Sequence, residues 1–222
     1  MSQITNLAYF YERSRKVRGG RAVWVKDSNG ENRKNVLLGG TILNPNKGFG
    51  HLWAAQLVQY TPAEGCLIFR SFEAVSASGT TLVIKGDGFS DVPEVGMLIM
   101  KAPSTAAGTG QSAKVTAVEY NAEDAQFNVT LSTALTVSAG DVLVEASGTS
   151  ASASATVLVP NPNTFVEADA DLMPTEGYGL DGTANYSIST VHDKEAWIVK
   201  MQPLPDYVLA KNRSYIKGIF WI

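Results

Sequence analysis

The side chains able to do acid–base, metal or nucleophilic chemistry are few in this sequence and scattered along it. Two histidines, His51 and His192, stand far apart and form no i, i+4 pair of the kind that sets two imidazoles on one helix face around zinc. His192 precedes Asp193, a neighbour pair that reads as a surface hydrogen bond rather than a catalytic dyad. Glu167, Asp169 and Asp171 alternate as the first ligands of a calcium loop do, but the glycine position is Leu172 and the twelfth position is Tyr178. These carboxylates read instead as an acidic loop or strand edge, with calcium shared between neighbouring subunits left open.

Gly48-Phe49-Gly50 and Gly86-Asp87-Gly88 lack the third glycine or the Lys-Ser/Thr that a phosphate cradle needs, so both read as turns. No Gly-x-Ser-x-Gly elbow occurs, and Cys66 is the single cysteine, which excludes an intramolecular disulfide and reads as core filler. No set of titratable groups suggests an enzyme, and no cofactor is expected. Asn128, Asn185 and Asn212 fit the glycosylation pattern, but Met1 to Asn6 are polar and do not open a secretory signal. Synthesis and assembly in a cytoplasm are therefore expected.

Charge is the more informative signal. The net charge is −3, yet Arg13, Arg15, Lys16, Arg18, Arg21, Lys26, Arg33 and Lys34 crowd into one stretch against Glu12, Asp27 and Glu31. Interleaved with Tyr9, Phe10, Tyr11 and Trp24, this basic run implies an oppositely charged partner. An acidic protein surface is favoured over nucleic acid, because nucleic-acid domains are usually basic overall and this chain is not.

The elements that must carry these residues read as β. No apolar run approaches the roughly 20 residues of a bilayer span, so a soluble chain without a membrane partner is expected. Leu7 to Val25 holds neither helical nor strand periodicity and reads as an arm. Asp27 to Gly30 signals a turn between Ala22–Val25 and Val36–Leu38, which predicts a hairpin.

From Cys66 onward the short β-branched runs predict strands at Leu67–Phe72, Thr81–Lys85, Met97–Lys101, Ala113–Tyr120, Phe127–Leu131 and Asp141–Glu145. The alternation in Lys114–Glu119 predicts a half-buried strand with Val115 inward and Ala117 subject to register. Ser147–Thr156 is nearly all Ser, Ala, Gly and Thr, either a flexible linker or a solvated strand, and the main boundary is placed near it. Beyond it, Ile188, Trp197–Val199 and Tyr207–Leu209 are strand-like, and the apolar end Ile216–Ile222 is expected to be covered.

The fold expected is thus mainly β: a small barrel or sandwich module with an extended N-terminal arm and a C-terminal β segment. Its parts are an arm and hairpin at 1–65, a β module at 66–146, a Ser/Ala-rich linker at 147–156 and the closing β segment at 157–222.

Lys114-Val115-Thr116-Ala117-Val118, Phe127-Asn128-Val129-Thr130-Leu131, Ser138 to Val144 and Pro160-Asn161-Pro162-Asn163 together resemble the head-fibre and capsid decoration proteins of tailed bacteriophages and prophages. In such proteins a β module is followed by an Asn-Pro segment and a short closing β segment, the place taken here by Asn185–Leu209 with His192 and Pro203-Leu204-Pro205. The resemblance covers about residues 66–222. It implies an auxiliary structural protein on the outer capsid surface, bound to the major capsid protein, homo-oligomeric with a trimer favoured, and without catalysis.

Attachment through the arm is a separate inference from the residues themselves. It nominates Tyr9, Tyr11, Arg13, Arg15, Arg18 and Trp24 for partner contact, with Phe220 and Trp221 at the other end. The rival expectation is a carbohydrate- or receptor-binding module in which Trp53, Tyr178 or Tyr186 stacks on sugar rings.

Overall fold

Alternating apolar and polar residues favour strands in this chain, because a period of two buries one face of a pleated ribbon and leaves the other wet. The computed structural model describes residues 24–27, 34–44, 51–52, 56–61, 65–86, 91–166, 170–171, 184–192, 196–198, 202–209 and 219–221. The chain opens with β1 (Trp24–Asp27), β2 (Lys34–Ile42), β3 (His51–Leu52), β4 (Leu57–Thr61) and β5 (Gly65–Ile68). There follow β6 (Ser71–Ser78), β7 (Thr81–Lys85), β8 (Leu98–Lys101), β9 (Thr109–Gly110) and β10 (Ser112–Asn121). Next come β11 (Gln126–Leu131), β12 (Val142–Glu145) and β13 (Ala155–Thr156). The last are β14 (Thr164–Val166), β15 (Ala170–Asp171), β16 (Ala184–His192), β17 (Ala196–Ile198) and β18 (Ile219–Trp221). The protein is mainly β, as the alternation predicts.

The chain divides into two units that share it in alternation. Among the described residues, the first unit takes those from Arg70 to Pro160 and from Gln202 to Tyr207, and the second those from Trp24 to Phe69, from Asn161 to Ile198 and from Val208 to Trp221.

In the first unit six strands pair in the unbroken ring β10-β11-β7-β6-β12-β8, every ladder antiparallel. Two long strands make the closure possible by changing partners midway. β6 pairs with β12 through Ser71–Glu73 and with β7 through Ala74–Ser78, with a register shift between Ala74 and Ser76. β10 pairs with β8 through Ser112–Lys114 and with β11 from Val115 onward, with a shift between Val115 and Ala117. An extra residue at such a point bends the strand and increases its twist. The shift in β10 also resolves the register: Val115 is buried, Ala117 is only half-buried, and Val118 takes the inward place.

Phe72, Leu82, Ile84, Ile99, Phe127, Val129 and Leu143 fill the interior, all from the inward positions of ring strands. Burying each such side chain contributes about 1.5–3 kcal/mol. The β6–β7 hairpin turns at Gly79, whose φ of 57° is the left-handed backbone a two-residue connection asks for. The Ser/Ala-rich stretch 147–156 lies inside this unit. Ser147 N–H donates to the Thr156 carbonyl, Ser152 N–H donates to Ser112 Oγ, and β13 pairs with β9.

In the second unit the strands β14-β16-β2-β5-β4 pair in a ring, β15 pairs with β3, and β1-β17-β18 form a separate three-stranded sheet. The two runs flanking the expected Asp27–Gly30 turn therefore pair with β17 and β16 rather than with each other. The reason is length: β2 and β16, nine residues each, satisfy their backbone groups along one continuous ladder that the four-residue β1 cannot match. Two asparagines act as stand-in strand residues. The Asn44 carboxamide accepts from Ile68 N–H at 2.7 Å and donates to its carbonyl at 2.9 Å. Asn163 holds Tyr60 in the same two-point way, at 2.9 Å in both directions.

Two expected strands change form. Leu67–Phe72 is not one strand: β5 ends at Ile68 and β6 begins at Ser71, because Arg70 is turned into a buried ion pair and Ser71 N–H bonds the Asp91 carboxylate. Tyr207–Leu209 lies in a helical turn at 206–209. Pro205 presets φ just ahead of it, and Asp206 puts a carboxylate at the turn's N-terminus.

Candidate functional site

Of the residues nominated for partner contact, Tyr9, Tyr11, Arg13, Arg15 and Arg18 lie outside the described residues. Trp24 opens β1, while Phe220 and Trp221 belong to β18. The fold brings these two distant ends of the chain together, since β17 runs between them. Trp24 and Trp221 are both register partners of Ile198, one through the antiparallel β1–β17 ladder and the other through the parallel β17–β18 ladder. Phe220 is the partner of Trp197, which also pairs with Lys26 across β1. A register shift between Trp24 and Lys26 accommodates Val25.

The small sheet thus concentrates three tryptophans and a phenylalanine at adjoining register positions, next to the segment that carries the basic run. Tryptophan and phenylalanine are enriched in the cores of protein interfaces. Trp197, which the sequence reading placed on a strand but not at a contact, is the middle-strand member of this group.

Chemical groups are arranged otherwise. His51 is the register partner of Asp171 across β3–β15, and His192 is the partner of Lys34 at the end of the β16–β2 ladder. Glu167, Asp169, Trp53 and Tyr178 lie outside the described residues, and Tyr186 is opposite Gly40 on β16. Among the described residues, no group of three or more His, Cys, Asp or Glu side chains could hold a metal ion. Among the same residues, no helix is long and apolar enough to cross a membrane. Cys66 is a fully buried thiol on β5.

One buried polar cluster escaped the sequence reading. Arg70, only 3% exposed, donates from Nε to Glu145 Oε2 at 3.0 Å and lies 3.8 Å from Glu94 Oε2 through its terminal nitrogen. Beside it, Ser71 N–H donates to Asp91 Oδ2 at 3.0 Å, Ser71 Oγ donates to the Pro203 carbonyl, and Gln202 Nε2 donates to Ser71 Oγ at 3.1 Å. The signal was present: an arginine set among Leu67, Ile68, Phe69 and Phe72 cannot reach water without breaking an apolar run. Removing one partner of such a buried pair costs about 3–5 kcal/mol, because the other charge is then left buried and unpaired.

Two further groups are perturbed. Lys101 Nζ, donating to Asp141 Oδ2 at 2.7 Å, and then the Ser138 N–H hold the Asp141 carboxyl below its ordinary range. Burial pushes the Tyr207 phenol up, and among the described residues its hydroxyl has no hydrogen-bond partner.

Comparison with protein-family models, with curated proteins and with solved structures finds no match to this chain.

Proposed function

We propose that this chain is a non-enzymatic structural subunit of a tailed-phage virion, a head-fibre or decoration protein bound to the major capsid protein on the outer capsid surface. It is synthesised in the host cytoplasm and acts as a homo-oligomer, with a trimer favoured. The observation that supports this most is the three-stranded sheet. Trp24, which lies within the N-terminal basic segment, and the strand of Phe220 and Trp221 pair with the same strand, so these three nominated residues belong to one small element.

Two properties agree with it. The segments that carry the phage resemblance fall on β10, on β11 and on the turn into β12, and the Asn-Pro segment ends in the Asn163 clamp on Tyr60. A subunit that meets a lattice of identical copies gains avidity from many weak contacts, which suits a small sticky sheet joined to a basic arm.

The test is retention of the purified full chain on capsids of a tailed phage or prophage that carries its coding sequence, read by co-sedimentation. The full chain is expected to sediment with capsids, and a chain lacking residues 1–21 to stay in the supernatant. Retention of the deleted chain at the same level would reject the arm as the docking element. Specific binding on a glycan array with no capsid retention would overturn the proposal in favour of a carbohydrate-binding module.

A further inference from the structure

We draw no further inference here: the strongest candidate, the buried side-chain cluster of Arg70, Glu94 and Glu145 with Ser71, Asp91 and Gln202 at the start of β6, is taken up in fastening the strands and the 202–207 segment of its own unit, and nothing in the structure shows a ligand reaching it.

Discussion

Tyr207 is a residue whose chemistry sits poorly in its surroundings. It is 3% exposed and, among the described residues, its hydroxyl meets neither donor nor acceptor, so the group bears a desolvation cost that no hydrogen bond from them offsets. Tyr207→Phe keeps the ring and removes that atom. The substitution is expected to raise stability by about 1 kcal/mol, read as a higher urea midpoint at unchanged slope. A lower midpoint would mean that the hydroxyl does find a partner in solution.

Asp141 is the opposite case, a carboxylate that gains partners on folding. Its pKa is depressed in the native state, first by Lys101 and then by the Ser138 N–H. The stability it contributes is therefore complete above the unfolded pKa of ~3.9 and lost as pH falls through the lower native value. Lys101 is about half exposed, so water screens the pair and the contribution stays within about 0.2–1 kcal/mol. Asp141→Asn is expected to be less stable at pH 7 yet to lose less than the parent on moving to pH 3. Equal losses in the two proteins, by denaturant titration at both pH values, would remove Asp141 as a source of acid sensitivity.

At the scale of elements, the β10–β11 connection carries, among the described residues, a left-handed backbone on a residue other than glycine. Asn121 caps the turn by accepting from Glu123 N–H at 3.0 Å and donating to Asp124 at 2.8 Å, and the chain then passes through Ala125 at φ 52°. A left-handed conformation crowds Cβ against the backbone and costs roughly 1 kcal/mol for a residue other than glycine. Ala125→Gly is expected to stabilise by about 0.5–1 kcal/mol, with the gain reduced by the greater freedom of glycine in the unfolded chain. Thermal unfolding measures this directly. A fall in the melting midpoint would show that the left-handed turn is not adopted.

Elements were also the level at which the sequence was most readable. The runs Thr81–Lys85, Met97–Lys101, Ala113–Tyr120, Phe127–Leu131 and Asp141–Glu145 each meet a strand to within two residues, because alternation and turn residues are local properties. What escaped was set from outside the segment. Ala74–Ser78 has too little apolar character to announce a strand and is ordered by its ladder to β7. The break at Arg70 follows from carboxylates at positions 94 and 145. The aromatic ends were visible as sticky residues, but their meeting on either side of Ile198 depends on a β1–β17 pairing between residues far apart in the chain, joined to the shorter-range pairing of β17 with β18.

For the whole molecule the division into two units has a consequence for folding. All six ladders of the ring β10-β11-β7-β6-β12-β8 join strands lying between Ser71 and Glu145, and the core they enclose comes from the same span. A fragment of residues 70–160 therefore carries its own closed set of backbone pairings and a core for a domain of about 100 residues, a size that commonly folds alone. Among the described residues of this unit it lacks the returning segment, which places the Pro203 carbonyl and Gln202 on Ser71 Oγ. The fragment is expected to give a β-type circular dichroism spectrum and a cooperative denaturant transition.

Ser71→Ala then tells the two contexts apart. In the full chain it removes the bond to Pro203 and one acceptor of Gln202, at a cost of about 1–2 kcal/mol. In the fragment neither partner is present and the same change is expected to be nearly neutral. An unfolded fragment would place the folding information of this unit partly outside residues 70–160. An equal cost of Ser71→Ala in fragment and full chain would locate the effect in the strand itself, and the 202–207 segment would then contribute nothing through Ser71.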